Sequence, residues 1–415
     1  MKKIEKLSLG MGDRFAHQGR AQLQAVARAR AAGIELAPVW NKSNREHTIV
    51  GSEPISVLRE AQAAAAALDW TGPWHVDADH INLANVDRFI EASDFYTIDV
   101  ADYIGKASDP AEIERFVADS SRLVGALNVP GLSYPVKIDR AAIEAAARKF
   151  LWATQEAGRI YRHIAKQKGD DFIAEVSLDE TDRSQTPAEL LLILFMLARE
   201  GVPAQTIAPK FAGSFHKGVD YIGDLATFEK EFEEDLCVAR YAVAEFGLPA
   251  TLKLSVHSGS DKFSLYPIIN RLLKKHDAGV HLKTAGTTWL EEVIGLAEAG
   301  GDGHAIAQEI YASAYDRFDE LVKPYATVVE INRAELPSPA EVKGWSSEAF
   351  VAALRHDRSC PAYNAEFRQL IHVSFKIAAE MGDRYLDALK AHEAIIARNV
   401  TGNLYERHIV PLFGS

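Results

Sequence analysis

Three histidines, His80, His216 and His257, each close a different β-like run or stand in the loop that follows one. Imidazoles delivered from separate strands, with carboxylates nearby, are the usual parts of a catalytic divalent-metal site, which takes three protein ligands and keeps one position open. Other ionisable groups collect at equivalent places. Asp77 and Asp79 stand beside His80, and Asp99 and Asp102 end the next run. Glu175, Asp179 and Glu180 end another, while Lys210, Lys253, Ser255, His281, Lys283 and Thr284 fall at the ends of the last three. The first two runs lead into GDRF (12–15) and NKSNREH (41–47). Taken singly, each has an ordinary explanation: a strand-end Asp caps a helix or forms a turn, and two of the histidines would be surface residues and the third a helix cap. Their convergence is what points to a site, because a charged rim is expensive unless it serves a ligand or metal.

The elements that must carry these residues alternate. Eight β-like runs stand out: Lys6–Leu9, Ile34–Trp40, His75–Asp79, Phe95–Val100, Phe172–Leu178, Gln205–Phe211, Thr251–His257 and Val280–Lys283. Helical periodicity fills Ala21–Ala32, Ser56–Leu68, Pro187–Glu200 and Phe228–Phe246 between them. Strands alternating with helices imply βαβ units and a parallel sheet, and eight units close a (β/α)8 TIM barrel, whose active site lies at the C-terminal ends of the strands. An open doubly wound sheet is the other arrangement. It is disfavoured because no GxGxxG follows a strand, and AGGDG (299–303) follows a helix and caps it. No nicotinamide cofactor is therefore expected. The fourth and fifth runs are about seventy residues apart, too far for one crossover helix, so a helical insertion is expected over 109–169. The chain turns helical again beyond Pro337, over Ser347–Arg355, Ala365–Glu380 and Arg384–Asn399. The expected organisation is a catalytic barrel over 1–335 and a C-terminal helical extension, 336–415, packed upon it.

Composition narrows the partners. Among 415 residues, 46 Lys and Arg face 58 Asp and Glu, a net charge of −12, which argues against nucleic acid. The longest strongly apolar run, Leu190 to Ala198, is far short of the roughly 20 residues of a membrane span. The start, MKKIEKLSLG, does not read as a signal peptide, and two cysteines make neither a disulfide framework nor a thiolate metal site. A cytoplasmic protein with a small-molecule substrate is expected. The helical extension is a natural surface for a homo-oligomer, though nothing in the sequence counts subunits.

Six segments, LGMGDRFAHQG, PVWNKSNREHTIVG, HVDADHI, SDFYTIDVADYIG, SLDETD and IAPKFAGSFHKGVDY, resemble the tagaturonate epimerase family of bacterial hexuronate catabolism, and they span most of the chain. The resemblance implies an isomerase: a metal-dependent enzyme that interconverts D-tagaturonate and D-fructuronate. A second, local resemblance is to the class II, zinc-dependent ketose-bisphosphate aldolases. VDADH is similar to their third-strand motif, which implies Asp79 as catalytic acid or base and His80 as a metal ligand. FAGSFHKG and SVHSGS are similar to their sixth- and seventh-strand segments, which implies His216 and His257 as further ligands, and GVHLKTAGTTWL is similar to their phosphate-binding strand end. EVSLDET matches loosely, with Glu175 a further metal carboxylate or a second acid–base group. Lys217 intervenes where the aldolases pass from His to Gly, and Ser258 replaces a glycine after His257. Both departures fall where a phosphate would bind, which suits an unphosphorylated uronate.

The two hexulosonates differ at the carbon β to the ketone, which enolisation alone does not invert. Retro-aldol cleavage, rotation of the aldehyde fragment and re-addition would do so. That route needs a divalent metal to take up enolate charge and a base for the hydroxyl proton, here Asp79 with Glu175 as the second candidate. Zinc comes first among the metals, with manganese, nickel, iron and cobalt open. Arg14, Arg45 and Lys283 are candidates for the substrate carboxylate, with Lys210 and Asp179 as further substrate contacts. Lys253 and Lys283 keep a Schiff-base aldolase in view. A metal-dependent aldolase on a ketose or hexulosonate, an epimerase of a related ketose, and a non-catalytic sugar-acid binder are the remaining alternatives. Transient fragments must not escape, so a lid is expected from Asn41–His47 or Thr401–His408.

Overall fold

Eight strands pair in parallel around a closed barrel in chain order: β1 (Leu7–Gly12), β2 (Ala37–Ser43), β3 (His75–Ile81), β4 (Phe95–Asp99), β7 (Ile173–Ser177), β8 (Thr206–Ala208), β9 (Lys253–His257) and β10 (Val280–Thr284). β1 closes the ring against β10, with Gly10 opposite Lys283. Two more strands, β5 (Gly125–Leu127) and β6 (Val136–Ile138), form a separate antiparallel pair. The computed structural model describes residues 2–179 and 181–414. All eight expected runs are barrel strands. The fold is the (β/α)8 barrel that the alternation of elements implies.

The period of two along each strand explains both faces. Leu9, Met11, Trp40, Val76, Ile98, Val176, Leu254 and Leu282 turn outward and are buried beneath the helices. The inward set is different. Ser8, Asn41, Asp77, Thr97, Glu175, Ser255, His281 and Lys283 are buried and polar. Apolar packing inside is confined to a small cluster of Ile4, Val39, Phe95 and Ile173 towards the strand starts. Barrels of this class normally fill their interior with branched apolar side chains, so a polar axis is a departure. Gly12 reflects how tightly the ring closes, since a Cβ there would lie 2.1 Å from the Ala285 carbonyl oxygen.

Helices Gly19–Ala31, Ile55–Ala67, Pro187–Arg199, Leu225–Phe246, Tyr266–His276 and Thr287–Ala299 surround the barrel. Their starts are encoded locally. Thr186 and Glu189 form a capping box ahead of Pro187, and Ser43 and Glu46 form another directly at the end of β2. Between β4 and β7 the insertion holds helix Pro110–Asp119, the β5–β6 hairpin and the 29-residue helix Arg140–Lys168. The hairpin departs from the all-helical expectation: its strands have three residues each, too short to show a period.

Helices beyond the eighth barrel helix begin at Gly301–Asp316, upstream of Pro337. Two expected C-terminal helices are each divided, into Ala365–Val373 and Phe375–Glu380, and into Asp383–Ala391 and Glu393–Gly402. Helix Glu393–Gly402 packs on Gly19–Ala31 and Thr287–Ala299. None of the helices of the described residues is long and apolar enough to cross a membrane.

Candidate active site

Consecutive residues of a regular strand point to opposite faces. Asp79 and His80 do not. The pairing of β3 with β4 shifts register between Ala78 and Ile81, and His80 adopts φ +52°, a left-handed conformation that a non-glycine residue adopts only under constraint. The bulge turns the imidazole into the mouth beside its neighbour, with His80 Nε2 3.8 Å from Asp79 Oδ1. His80 Nδ1 lies 3.2 Å from Asp99 Oδ2, which fixes the ring from behind.

His257, the last residue of β9, meets this imidazole edge to face, with ring centroids 5.1 Å apart. Its Nε2 lies 2.8 Å from Glu175 Oε1 and its Nδ1 3.1 Å from Asp179 Oδ2. Ligand atoms of His80, Asp179 and His257 all fall within 4.8 Å of one another. It is the group of histidines and carboxylates among the described residues with the geometry to hold a metal ion. Burial would lower both histidines, but Asp79, Asp99 and Asp179 push His80 up to about 10, and Asp179 and Glu175 push His257 up to about 9. Burial works against the Asp179 carboxylate too, yet His257 and His80 hold it below the usual carboxylate range. Surplus negative charge around two imidazoles is what a divalent cation satisfies.

Lys283 organises the layer beneath. Its Nζ lies 2.7 Å from Asp79 Oδ1, 2.7 Å from Asp77 Oδ2 and 3.2 Å from Glu175 Oε1, and it donates to Thr97 Oγ1 at 2.5 Å. Thr206 Oγ1 donates to the other Glu175 oxygen at 2.7 Å. Burial alone would discharge the lysine, but three carboxylates keep its pKa well above the usual value. Burial, together with Asp79 and Glu175, raises Asp77, whereas Lys283 and His80 outweigh burial at Asp79 and lower it. Asp79 is thus the more firmly ionised member of the pair and Asp77 the more readily protonated one.

Lys283, expected as a candidate for the substrate carboxylate, is engaged by Asp77, Asp79 and Glu175, and a lysine so firmly protonated is a poor imine-forming nucleophile. Lys253, the other Schiff-base candidate, is lowered by burial to about 7. It bonds Ser8 Oγ at 2.8 Å near the strand starts, roughly 13 Å below His257 by strand rise.

His216 is half-buried in the loop after β8 and outside the His80–Asp179–His257 group; its Nδ1 has no hydrogen-bond partner and lies 3.9 Å from Glu330 Oε2. Asp179, expected at the substrate, takes the third place in the group. Arg14 is buried and engaged, its Nε 3.0 Å from Glu46 Oε1 and its Nη1 3.0 Å from the His372 carbonyl. Arg45 is exposed, with its guanidinium 4.7 Å from the Tyr325 ring centre. Lys210 is half-buried in the loop after β8, and Glu180 lies outside the described residues.

Two rim residues were not foreseen. Lys217 is held 5.9 Å from the same Tyr325 ring, and burial next to Arg14 and Arg45 lowers its pKa. Its position as an interruption of the aldolase-like motif was the available signal; Tyr325, beyond the barrel strands, carried none. Neither expected lid is an irregular loop. Asn41–His47 runs from β2 into a capped helix, and Thr401–His408 is helical, with His408 fully buried 3.4 Å from Asp261.

Residues 1–392 match the model of the tagaturonate epimerase family. The chain belongs to that family. Membership makes it an epimerase, an isomerase as its motifs imply. The tagaturonate/fructuronate epimerase of Thermotoga maritima is 28% identical over 426 residues, covering 99% of this chain and 81% of that one. Crystal structures of the fructuronate-tagaturonate epimerase of Cohnella laeviribosi, native and with glycerol, share the fold with a TM-score of 0.82. They are 23% identical to this epimerase and cover 99% of its chain and 82% of their own.

Proposed function

We propose that this epimerase interconverts D-tagaturonate and D-fructuronate in the cytoplasm, by breaking and remaking the bond between the carbons α and β to the ketone. The observation that carries the reading is the meeting of His80, Asp179 and His257 beside the ionised Asp79 at the strand C-termini. Two nitrogens and one oxygen suit zinc, nickel, cobalt or iron, with zinc first and manganese next if further carboxylates join. His80, Asp179 and His257 would hold the cation, and Glu175 and Asp99 would orient the two imidazoles. When bound, the cation supplies Lewis-acid stabilisation of the oxygen on which charge develops.

The chain's own residues handle the proton. Asp79 takes it from the hydroxyl on the β carbon; that oxygen becomes an aldehyde as the α–β bond breaks, and the electron pair passes to the former ketone as a three-carbon enediolate. The other fragment is tartronate semialdehyde. After the aldehyde turns its other face, the enediolate carbon re-adds and Asp79 returns the proton to the new alkoxide. Lys283, 2.7 Å from Asp79, favours the carboxylate between turnovers. Arg45, its guanidinium 4.7 Å from the Tyr325 ring centre, is the rim cation that would hold the substrate carboxylate.

The test is to incubate metal-analysed protein with D-tagaturonate, with and without chelator, and follow the products by NMR. Chelator-sensitive formation of fructuronate without free fragments supports the reading. Accumulating three-carbon products would make the protein an aldolase, and inert tagaturonate would remove this substrate.

A further inference from the structure

His372, on helix Ala365–Val373, is fully buried, and both of its ring nitrogens lack a hydrogen-bond partner. Such a group costs stability unless its place gives something in return. Its place is distinctive. A Cβ added to Gly286 would lie 1.8 Å from His372 Nε2, so the imidazole covers the Gly286 backbone. Gly286 is the N-cap of helix Thr287–Ala299, which has no side-chain cap, and it follows β10, the eighth barrel strand. On the other side, a Cβ at Gly218 (φ +82°) would come 3.4 Å from His372 Cβ.

Barrels commonly bind phosphate with the loops after strands seven and eight and a nearby helix N-terminus, where backbone N–H groups and the helix dipole favour an anion. The charges around His372 follow that pattern. Beside burial, Arg14, Lys217, Lys262 and Arg368 hold its pKa down. Arg14 Nη1 is 3.0 Å from its carbonyl, while Arg368 also donates to the Gly218 and Leu354 carbonyls and Lys262 to that of His216. Two carboxylates partly offset them, Glu46 on Arg14 and Asp261 2.7 Å from Arg368. Asp261 also accepts from Thr287 Oγ1 at 3.0 Å, which ties the extension to the start of the same helix. Helix Ala365–Val373 is further pinned by Trp289 Nε1 donating to the Ile371 carbonyl at 2.8 Å.

We propose that the His372 imidazole is a stopper seated in an anion-binding pocket of the barrel, and that it excludes ketoses carrying a phosphate beside the ketone. The specificity half of this rests on the function proposed above; the pocket half does not. An uncharged imidazole fills the space without pairing with the surrounding cations, leaving room at the ketone end for a bare hydroxymethyl group. The selectivity against phosphate thus comes from a helix outside the barrel strands.

The experiment titrates inorganic phosphate against wild-type protein, His372→Ala and His372→Gln at constant ionic strength, reading melting temperature and epimerase rate. Phosphate should raise the melting temperature of His372→Ala saturably, as a ligand of the native state does, and should inhibit its turnover competitively. Wild type and His372→Gln, whose side chain refills the space, should show neither effect. Saturable phosphate binding by the wild type, or none by a folded His372→Ala with normal metal content, would overturn the proposal. If His372→Ala does not fold, His372→Asn, which shortens the plug while keeping a polar group, takes its place under the same two criteria. Failure of the wild type to turn over tagaturonate would strike the functional reading and leave the phosphate result standing.

Discussion

Lys283 Nζ sits 2.7 Å from Asp79 Oδ1 and the same distance from Asp77 Oδ2, so one ammonium spans two residues of one strand that point the same way. Without it, Asp77, Asp79 and Glu175 would be three carboxylates buried together. Lys283→Met should therefore destabilise the protein by about 3–5 kcal/mol, as removal of one partner of a buried ion pair does. Adding Asp77→Asn should restore part of that loss, because the two sites are in contact. Denaturant unfolding of the two single variants and the double variant gives the coupling, and simple additivity would mean that Lys283 does not organise this layer.

Asp79→Asn keeps the shape of the side chain and removes the carboxylate proposed as the base. Turnover should fall by about 10²- to 10⁴-fold, the range of a lost general base, while metal content stays at the wild-type level. Full activity in this variant would move the proton transfer to another group, with Glu175 first in line.

The third ligand is a choice between Asp179, which lies in the group with His80 and His257, and His216, which does not. Elemental analysis after dialysis decides it. His257→Ala and Asp179→Asn should both lose metal, whereas His216→Ala should retain most of it. The reverse pattern would mean that the loop after β8 swings His216 into the site.

Far from the mouth, His75 is buried with Nδ1 2.9 Å from Asp94 Oδ2 and Nε2 3.0 Å from Glu5 Oε2. Burial opposes protonation, but the two carboxylates raise its pKa to about 9. A pKa raised in the folded state adds stability that is full below the unfolded value, near 6.5, and is lost as pH rises through about 9. The contribution is of the order of 3 kcal/mol at most. Melting curves should show the wild type losing stability between pH 7 and 9 relative to His75→Gln; parallel curves would refute the linkage.

The eight strands were legible because their inward polar and outward apolar residues alternate cleanly, as in KLSVH (253–257) and VHLKT (280–284). The β5–β6 hairpin was not, since Gly125 and Ala126 are exposed and carry no pattern. Ser374 and His392 divide helices that periodicity alone runs together. Asp79, His80, Glu175 and His257, singled out in the sequence by type, place and resemblance, lie together at the strand C-termini. The inward turn of His80 depends on a bulge set by pairing with β4, which no local pattern encodes. The role of Lys283 depends on carboxylates up to 206 positions away, such as Asp77.

The polar axis of the barrel bears on how the chain reaches its fold. Ser8, Asn41, Thr97, Ser255 and Lys283 give hydrophobic collapse little to act on along the centre line. Apolar burial is concentrated instead at the interface between strand exteriors and helices, where Leu9, Val176, Leu254 and Leu282 pack. Only when the ring closes are Lys283 and its three carboxylates brought out of water together. A chain with an open ring would therefore keep its strand–helix interface without bringing Lys283 and its carboxylates together.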